Sequence, residues 1–571
     1  MADGGDDDLV LELARRADAA ATEHEWEHQI VDAIVGGRRH DTDRQRLADA
    51  FRFHARDKDG DGERFGPMVT FEGGGSVPAP LPKMPDQAYE LWERVLGHAQ
   101  HPRVRARLHD LLFERRWGEV GVHLTGAAEA YIEDGISGNP QSLHSVDALR
   151  RADHLARLGR RNDLVDRVTA EVVRTAGASI DDAEPKPGVA VRLIKILVDG
   201  RCADPVVDDL LHRARCRFPD ASNVERTIEL QRRRAADEGA RKDLDRQLVE
   251  RWLDEAECAD PLVAIMHREK AAKLARERGL PDLVDRAVVA MQTAGPPELA
   301  RIQVEIPSTI TPEQVEEYIG SMVGGTWWES VMRLLANGPP TGDVDRNRKT
   351  AAELGREHPL QALFPKVRLG GDGLPRYSAQ SNDDKLDDQL TDIEIMGLQL
   401  YGPLVAEALR RVGAAFDPTV EDVVEALGAV RCDGATAALI ARVVCRFNAG
   451  DYEAAAYTGL PLVERLSRTL LLAVDSPLYR VQRERAPGTY PGLGALLPQL
   501  AERGLDESWY RFLRTLLSAP NGWNFRNEAL HGFVDDVGAT GAGLVLIAVL
   551  YLTFVHPKPI DGADSEPARN A

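Results

Sequence analysis

The chain has 571 residues, 43% of them hydrophobic, and carries a formal net charge of -21 at pH 7. This length exceeds what a single hydrophobic core supports, so we expect three or four packed units. The acidic balance excludes broad, nonspecific attraction to a nucleic-acid backbone, because an acidic surface repels phosphates. Any contact with RNA must therefore be local.

The cysteines and the N-terminus indicate where the protein resides. Five cysteines are widely spaced and form no CxxC pair, which argues against a disulfide framework and against a zinc ribbon. The first eight residues are acidic, whereas a secretory signal begins with a basic and then an apolar stretch. We therefore expect a cytoplasmic protein with no membrane partner.

Most of the sequence places apolar residues at spacings of three and four, which is typical of amphipathic helices and predicts a mainly α fold. The first region, 1–130, contains two helical stretches, with Tyr89, Trp92 and Leu96 on one apolar stripe. Between these stretches, 57–85 is rich in Gly, Pro and Asp, which predicts a long loop with at most a short hairpin.

Two motifs in this region resemble metal sites. His24-Glu25-Trp26-Glu27-His28 matches the HExxH pattern of zinc proteases. A charged Glu27 occupies a position that is usually uncharged, and no third ligand follows, so we favour an exposed helix face. Asp57 to Gly62 resembles the start of an EF-hand loop, but Met68 stands where calcium requires a glutamate. We expect no bound metal, and no P-loop, GxGxxG or GxSxG pattern predicts a cofactor.

A weak repeat marks the second region, 131–295. The pattern Ala152, Leu155-Ala156-Arg157 and Asp163-Leu164-Val165-Asp166-Arg167 recurs 119 residues later between 270 and 286. Each copy predicts a helix, a short turn and another helix, as in solenoids built from helical hairpins. Such scaffolds present a surface to other proteins, so we expect a protein partner here.

Three further regions complete the chain. The stretch 296–385 is rich in Gly and Pro and contains one alternating segment, Ile302 to Pro307, so it predicts a loop-rich connector with a short strand. Helical periodicity then resumes over 386–556, most clearly in the apolar stripe from Leu505 to Leu517. The polar residues 557–571 predict a disordered tail. The uncharged stretch 538–555 suits either a buried helix or a membrane span, and we favour the buried helix.

The segment Asn521 to Gly532 is the strongest indication of chemistry. An arginine can bind a phosphate and a histidine can transfer a proton near neutral pH, so Arg526 and His531 together suffice for RNA cleavage without a metal. On a regular helix, Asn527 and His531 share a face, whereas Arg526 and His531 lie about 140° apart. The arginine must therefore reach around, which its long stem and its place in the first helical turn favour. The alternative is an ordinary ion pair of Arg526 and a packed His531.

These residues resemble the HEPN superfamily, whose ribonuclease members carry an arginine followed by a polar residue and then a histidine. More narrowly, Gly522, Asn524, Arg526-Asn527 and His531-Gly532 are similar to the RNxxxHG signature of a C-terminal domain of unknown function. That domain is also found in an endoplasmic-reticulum-membrane-associated RNA-degradation protein. Two supporting segments resemble the same family: Leu462 to Arg468, with a glutamate and an arginine four residues apart, and Gly492 to Leu497.

The resemblance implies a helical bundle that forms a homodimer, with the Arg/His sets of two subunits facing each other. It implies catalytic roles for Arg526, His531 and Asn527, with His531 as the base on a ribose 2′-hydroxyl and a 2′,3′-cyclic phosphate as the product. Glu464 then either holds Arg526 or pairs with Arg468 one helical turn away.

The charge around the motif agrees with phosphate binding, since residues 476–531 contain seven arginines and five acids. The sequence thus predicts an RNA-cleaving domain controlled by an N-terminal helical scaffold, in the manner of stress or antiviral defence proteins. The competing hypothesis is a non-catalytic helical adaptor, in which the same motif binds a nucleotide or supports dimerisation.

Overall fold

Amphipathic helices account for most of the chain in the computed structural model, which confirms the predicted mainly α fold. The structure describes residues 4–37, 41–57, 63–71, 73–137, 139, 141–294, 311–358, 366–370, 372–379, 381–430, 432–482 and 487–558. The chain divides into two units, Met1–Val289 and Ala290–Ala571.

Unit 1 is built from helices and two hairpins of short strands. Its first elements are α1 (Gly4–Glu23), α2 (Glu27–Val35), α3 (Thr42–Ala50), β1 (Phe53–Asp57), β2 (Glu63–Pro67), β3 (Val69–Thr70), β4 (Ser76–Val77), a 3-10 turn (Leu81–Lys83), α4 (Asp86–Leu96) and α5 (Pro102–Arg115). The elements that follow are α6 (Val120–Ser137), α7 (Leu143–Leu158), α8 (Asn162–Asp181), α9 (Pro187–Asp199), α10 (Val206–Arg217), α11 (Ala221–Arg234), α12 (Glu238–Cys258), α13 (Pro261–Glu277) and α14 (Pro281–Thr293).

The N-terminal core of unit 1 forms around aromatic side chains. Tyr89 and Trp92 of α4 are fully buried, as the apolar stripe predicts, and Trp92 packs edge-on against Phe53 of β1 with ring centroids 6.5 Å apart. The stretch predicted as a loop contains more structure than expected, because β1 pairs with β2 and β3 pairs with β4, both antiparallel. β1 begins with the buried Phe53, which a composition-based prediction of a loop overlooks.

The predicted repeat is confirmed as two matching helical hairpins, α7–α8 and α13–α14. In the first turn, Arg161 N donates to Ala156 O at 2.9 Å; in the second, Leu280 N donates to Ala275 O at 2.8 Å, which are the equivalent positions. The residue before each donor has a positive φ: 54° at Arg160 and 66° at Gly279. Both turns thus close the preceding helix with the same left-handed cap.

The HExxH motif spans a break between two helices. α1 ends at Glu23 and α2 begins at Glu27, so His24 and His28 do not share one helix. Glu27 pairs with Arg107 of α5, and the His54 ring lies 3.4 Å from its other oxygen. In the part of the chain that the structure describes, no cluster of His, Cys, Asp and Glu is arranged to hold a metal. Most of the EF-hand-like segment, 58–62, lies outside the described residues.

Unit 2 consists mainly of helices with one short hairpin. Its elements are α15 (Pro312–Met322), α16 (Trp327–Ala336), α17 (Val344–Glu357), β5 (Val367–Leu369), β6 (Pro375–Ser378), α18 (Asn382–Phe416), α19 (Val420–Gly428), α20 (Gly434–Asn448), α21 (Tyr452–Leu472), α22 (Leu493–Glu502), α23 (Glu507–Leu517), α24 (Phe525–Leu530) and α25 (Ala539–Leu552).

The prediction of a loop-rich connector over 296–385 is wrong for its described part, which contains three helices. Thr311 and Thr326 each form a capping box with the residue three positions later, Gln314 and Glu329. These capping signals are present in the sequence, but the Gly and Pro residues between the helices favour the prediction of a loop. The predicted strand at 302–307 and most of the predicted disordered tail lie outside the described residues.

The stretch that suits either a buried helix or a membrane span forms α25, which is buried on nearly all sides against α18, α20 and α21. Tyr551 of α25 stacks on Trp509 of α23, with ring centroids 3.9 Å apart. Searched over its described residues, the structure has no helix long and apolar enough to cross a membrane. The apolar stripe of α23 is buried as predicted.

Candidate active site

A buried charge cluster joins α23 to α18 directly before the motif. The guanidinium of Arg511 donates to both carboxylate oxygens of Glu394, at 2.6 and 2.9 Å, and to Asp387 at 2.5 Å. Glu394 is fully buried and also accepts a hydrogen bond from the Thr515 hydroxyl at 2.6 Å. Burial alone lowers the pKa of Arg511, but the hydrogen bonds and charges of Glu394 and Asp387 outweigh it and raise the pKa above its ordinary value. Sequence analysis missed this cluster because its members are more than 100 residues apart.

The segment between α23 and α24 is fixed to this cluster. The side-chain amide of Asn521 donates to Asp387 and to Thr391, both at 3.2 Å. The backbone N–H of Trp523 donates to Thr515 O at 2.8 Å. A Cβ at Gly522 would lie 2.3 Å from that same carbonyl oxygen, so only glycine allows this approach. The residues that precede α24 are therefore anchored to α18 and α23.

The motif helix α24 is shorter than the sequence suggests. It spans six residues, Phe525–Leu530, and Asn524 precedes it with a left-handed φ of 50°. His531 is the C-cap residue, and Gly532 follows with a φ of 78°. A Cβ at Gly532 would meet nothing within 4 Å among the described residues, so crowding does not require a glycine here. Glycine supplies the left-handed conformation that ends the helix.

Glu464 of α21 connects the two arginines of the predicted site. Its Oε2 accepts from Arg526 Nη2 at 3.0 Å, and its Oε1 accepts from Arg468 Nη2 at 2.9 Å. The two alternatives that the sequence leaves open are therefore both realised. Since each carboxylate oxygen accepts a hydrogen bond from one arginine, Glu464 fixes the position of Arg526 relative to α21.

Asn527 supports the same arginine from the other side. Its Oδ1 accepts from Arg526 Nη1 at 2.8 Å, and its Nδ2 donates to Asn524 Oδ1 at 2.7 Å. The side chain of Asn527 therefore orients Arg526. Arg526 uses two of its five N–H donors on Glu464 and Asn527, which leaves the others for a ligand.

Arg526 lines an open cavity of about 460 Å³ between α20, α21 and α24. Three arginines and one acid contribute charged groups to this cavity: Arg465, Arg468, Arg526 and Glu464. The apolar lining comes from Leu439, Pro461, Leu462 and Leu530. The cavity is net positive within an acidic chain, so it favours an anionic group that has an apolar part.

His531 does not line this cavity. It lies at the exposed end of α24, and among the described contacts only its backbone makes hydrogen bonds, the N–H donating to Asn527 O at 3.0 Å. Two apolar side chains next to it are also exposed, Leu530 at 44% and Phe533 at 45%. The arginine and the histidine of one chain therefore face different surroundings, as the helical geometry predicts.

Two other contacts hold α24 in place. The hydroxyl of Tyr457 in α21 donates to Ala529 O at 3.2 Å. Arg376 of β6 donates to Glu528 at 3.2 Å and lies 5.1 Å from the centre of the Phe533 ring. The sequence analysis assigned no role to this hairpin, because only the fold brings it to the motif.

The predicted excess of arginine around the motif does not form one continuous patch. Arg511 and Arg514 both bind Asp387 in the buried cluster, so they are not available for a phosphate. The cavity instead obtains two of its arginines, Arg465 and Arg468, from α21, outside the stretch over which the excess was counted.

Comparison with known proteins finds no family model that matches this chain. The curated proteins contain no match to it either.

Proposed function

We propose that unit 2 is a metal-independent endoribonuclease domain of the HEPN type, in which Arg526 stabilises the scissile phosphate and His531 acts as the base. The observation that carries the proposal is the position of Arg526, which is fixed by Glu464 and Asn527 and directed at a positively charged cavity. Donors that are oriented before a substrate binds stabilise developing phosphate charge effectively, because they need no reorganisation.

The reaction needs a proton acceptor next to the ribose 2′-hydroxyl. Histidine is a common general base in such reactions, and the side chain of His531 is exposed. His531 takes the proton of the 2′-hydroxyl, and the 2′-oxygen attacks the adjacent phosphorus. The bond from phosphorus to the 5′-oxygen of the next nucleotide breaks, this oxygen takes a proton from water, and a 2′,3′-cyclic phosphate remains. Arg526 neutralises the charge that develops on the non-bridging oxygens.

A homodimer accounts for the separation of Arg526 and His531 within one chain. If two copies join through the exposed ends of their α24 helices, the histidine of each copy approaches the arginine cavity of the other. The exposed side chains of Leu530 and Phe533 support this arrangement, because they offer apolar surface beside His531. The N-terminal scaffold then restrains the nuclease until a stress or antiviral signal releases it.

A second candidate function has a specific observation in its favour. His531 does not line the cavity with Arg526. This separation favours a non-catalytic adaptor, in which the cavity binds a nucleotide or the motif supports dimerisation.

Expression in cells separates the two functions. The nuclease proposal predicts that the wild type slows growth and degrades cellular RNA, whereas Arg526→Ala and His531→Ala do neither at equal protein levels. Equal growth and intact RNA for all three proteins, tested also with unit 1 removed, would favour the adaptor.

A further inference from the structure

Two exposed tyrosines lie beside the arginine-lined cavity, and the proposed reaction does not use them. Tyr479 is 58% exposed and Tyr490 is 41% exposed. Their ring centroids are 5.4 Å apart, with the planes at 68°. Exposed aromatic rings offer faces on which another flat group, such as a nucleic-acid base, can stack.

The backbone holds this tyrosine pair in place. Arg480 and Thr489, the chain neighbours of the two tyrosines, exchange two backbone hydrogen bonds of 2.9 and 3.0 Å. Tyr479 also folds over Gly488, where a Cβ would lie 2.0 Å from the tyrosine hydroxyl. The rings are therefore positioned by the chain itself, which lowers the entropy lost when a ligand stacks on them.

Arg468 connects the tyrosine pair to the cavity. Arg468 lines the cavity, and its Cζ lies 5.2 Å from the centre of the Tyr490 ring. Among the described residues, its buried Nε has no hydrogen-bond partner. Because Arg468 borders both the cavity and the Tyr490 ring, a phosphate bound by Arg468 and Arg526 would lie near the tyrosines, within reach of an adjoining base.

We propose that the cavity and the Tyr479–Tyr490 pair together bind single-stranded RNA, with a backbone phosphate in the cavity and the adjoining unpaired base stacked on a tyrosine. The inference rests on the proposed ribonuclease function and names its substrate class. Single strands offer unstacked bases to aromatic side chains, whereas the bases of a duplex are already stacked inside the helix. The site therefore selects unpaired segments without reading their sequence.

Binding to fluorescein-labelled RNA tests the proposal in the full-length His531→Ala protein, which does not cut the probe if the proposed function is right. One probe is a single strand of about 12 nucleotides, within the range that such sites cover. The other is a fully paired hairpin of equal length with a minimal loop. Fluorescence anisotropy gives the dissociation constant of each, and we expect the single strand to bind at least 10-fold more tightly.

The tyrosine variants provide the decisive comparison. Replacing a stacking aromatic residue with alanine removes about 1–3 kcal/mol per base, so Tyr490→Ala should weaken single-strand binding roughly 5- to 150-fold. Tyr490→Phe keeps the ring and should bind within about twofold of its parent, which excludes a purely structural loss. Tyr401→Ala is the matched control, because Tyr401 is 40% exposed on α18 and does not line the cavity. It should change nothing.

Equal binding of the hairpin and the single strand would overturn the inference, as would single-strand binding that is unchanged in both Tyr479→Ala and Tyr490→Ala, or no binding at all. These outcomes are separate from failure of the proposed function. If the His531-intact protein cuts RNA but the tyrosine variants bind normally, only the stacking inference fails. If binding depends on the tyrosines but no RNA is cut, only the nuclease proposal fails.

Discussion

Glu464 accepts a hydrogen bond from Arg526 at 3.0 Å across the interface between α21 and α24, and this contact fixes the one arginine of the motif that lines the cavity. The same carboxylate binds Arg468 at 2.9 Å. A single acid thus sets the geometry of two cationic side chains that face a common space.

Replacing Glu464 with alanine should show whether this carboxylate positions Arg526 for cleavage or contributes to RNA binding. The side chains of Glu464 and Arg526 are 21% and 28% exposed, so loss of the pair should cost no more than about 1 kcal/mol of unfolding free energy. We expect kcat for RNA cleavage to fall about 10-fold, because small misplacements of a catalytic group lower the rate strongly. KM should not rise, since removal of a negative charge beside the phosphate does not weaken binding.

Steady-state kinetics on a labelled single-stranded RNA measures both parameters. Glu316→Ala is the control, because it removes another glutamate of unit 2 that binds an arginine, Arg411, away from the cavity. A rise in KM without a fall in kcat in Glu464→Ala would contradict the assigned role.

The buried pair of Arg511 and Glu394 should be the most sensitive electrostatic contact in unit 2. Glu394→Ala leaves a buried arginine without its main partner, which typically costs about 3–5 kcal/mol. Glu507→Ala on the same helix, α23, removes an ion pair whose acid is 54% exposed and should cost less than about 1 kcal/mol. Urea unfolding followed by tryptophan fluorescence compares the two variants. Similar losses for both would show that the cluster does not anchor α23 to α18.

Gly522 should tolerate no side chain. A methyl group there would lie 2.3 Å from Thr515 O, so Gly522→Ala must displace the segment that carries α24. We expect a loss of about 2–4 kcal/mol in unfolding free energy, comparable to other cases of steric strain in a packed region. Gly494→Ala is the matched control, since a Cβ there meets nothing within 4 Å, and in α22 alanine should be neutral or stabilise by up to about 1 kcal/mol. Equal midpoints for the two variants in thermal unfolding would contradict the assigned contact.

The sequence predicts those parts of the fold that depend on local patterns. The apolar stripe of α23, the buried helix α25 and the two matching hairpins each follow from spacing within one element or one turn. The helices between 312 and 357 were missed, although their capping boxes at Thr311 and Thr326 are local signals too. Gly and Pro residues were interpreted as a loop, whereas they mark the ends of short helices.

In the candidate site, too, the sequence predicts the residues of the local motif but not their distant partners. Arg526, Asn527 and Glu464 are predicted from the motif and the resemblance, and in the structure Arg526 donates hydrogen bonds to both Asn527 and Glu464. The partners that fix the motif could not be predicted, because Glu394, Asp387 and Arg376 lie more than 100 residues away in sequence.

The stability of unit 1 should decrease as the pH falls from 6.5 to 4. Burial, followed by the charges of His123 and Arg105, lowers the pKa of His109 from 6.5 to about 4. Between pH 6.5 and pH 4 this histidine is protonated in the unfolded chain but neutral in the folded protein. The free energy of unfolding therefore falls as the pH decreases. The full shift corresponds to about 3 kcal/mol, and because His109 is only partly buried, solvent screening reduces the expected loss to the order of 2 kcal/mol.

His109→Gln should flatten this pH dependence, as measured by urea unfolding at several pH values from 7 to 4. His98→Gln, which changes an exposed histidine, should leave the dependence unchanged. An unchanged slope in His109→Gln would contradict the role assigned to this histidine.

Glu27 contributes to stability in a lower pH range, because its pKa is about 2 in the folded protein against 4.5 ordinarily. Burial raises this pKa, but the charge of Arg107 and the contact with His54 outweigh it. The contribution of Glu27 is present above pH 4.5 and is lost only as the pH falls from 4.5 to 2.

End-group analysis of RNA incubated with the purified full-length protein in EDTA tests most directly whether Arg526 and His531 cleave RNA without a metal. We expect cleavage of single-stranded RNA that yields 2′,3′-cyclic phosphate ends, and a loss of at least 100-fold in rate for His531→Ala and for Arg526→Ala. Mixing the two inactive variants should restore cleavage, because a mixed dimer carries one complete site. Intact RNA with the wild type, or equal cleavage by His531→Ala, would contradict the proposed nuclease function.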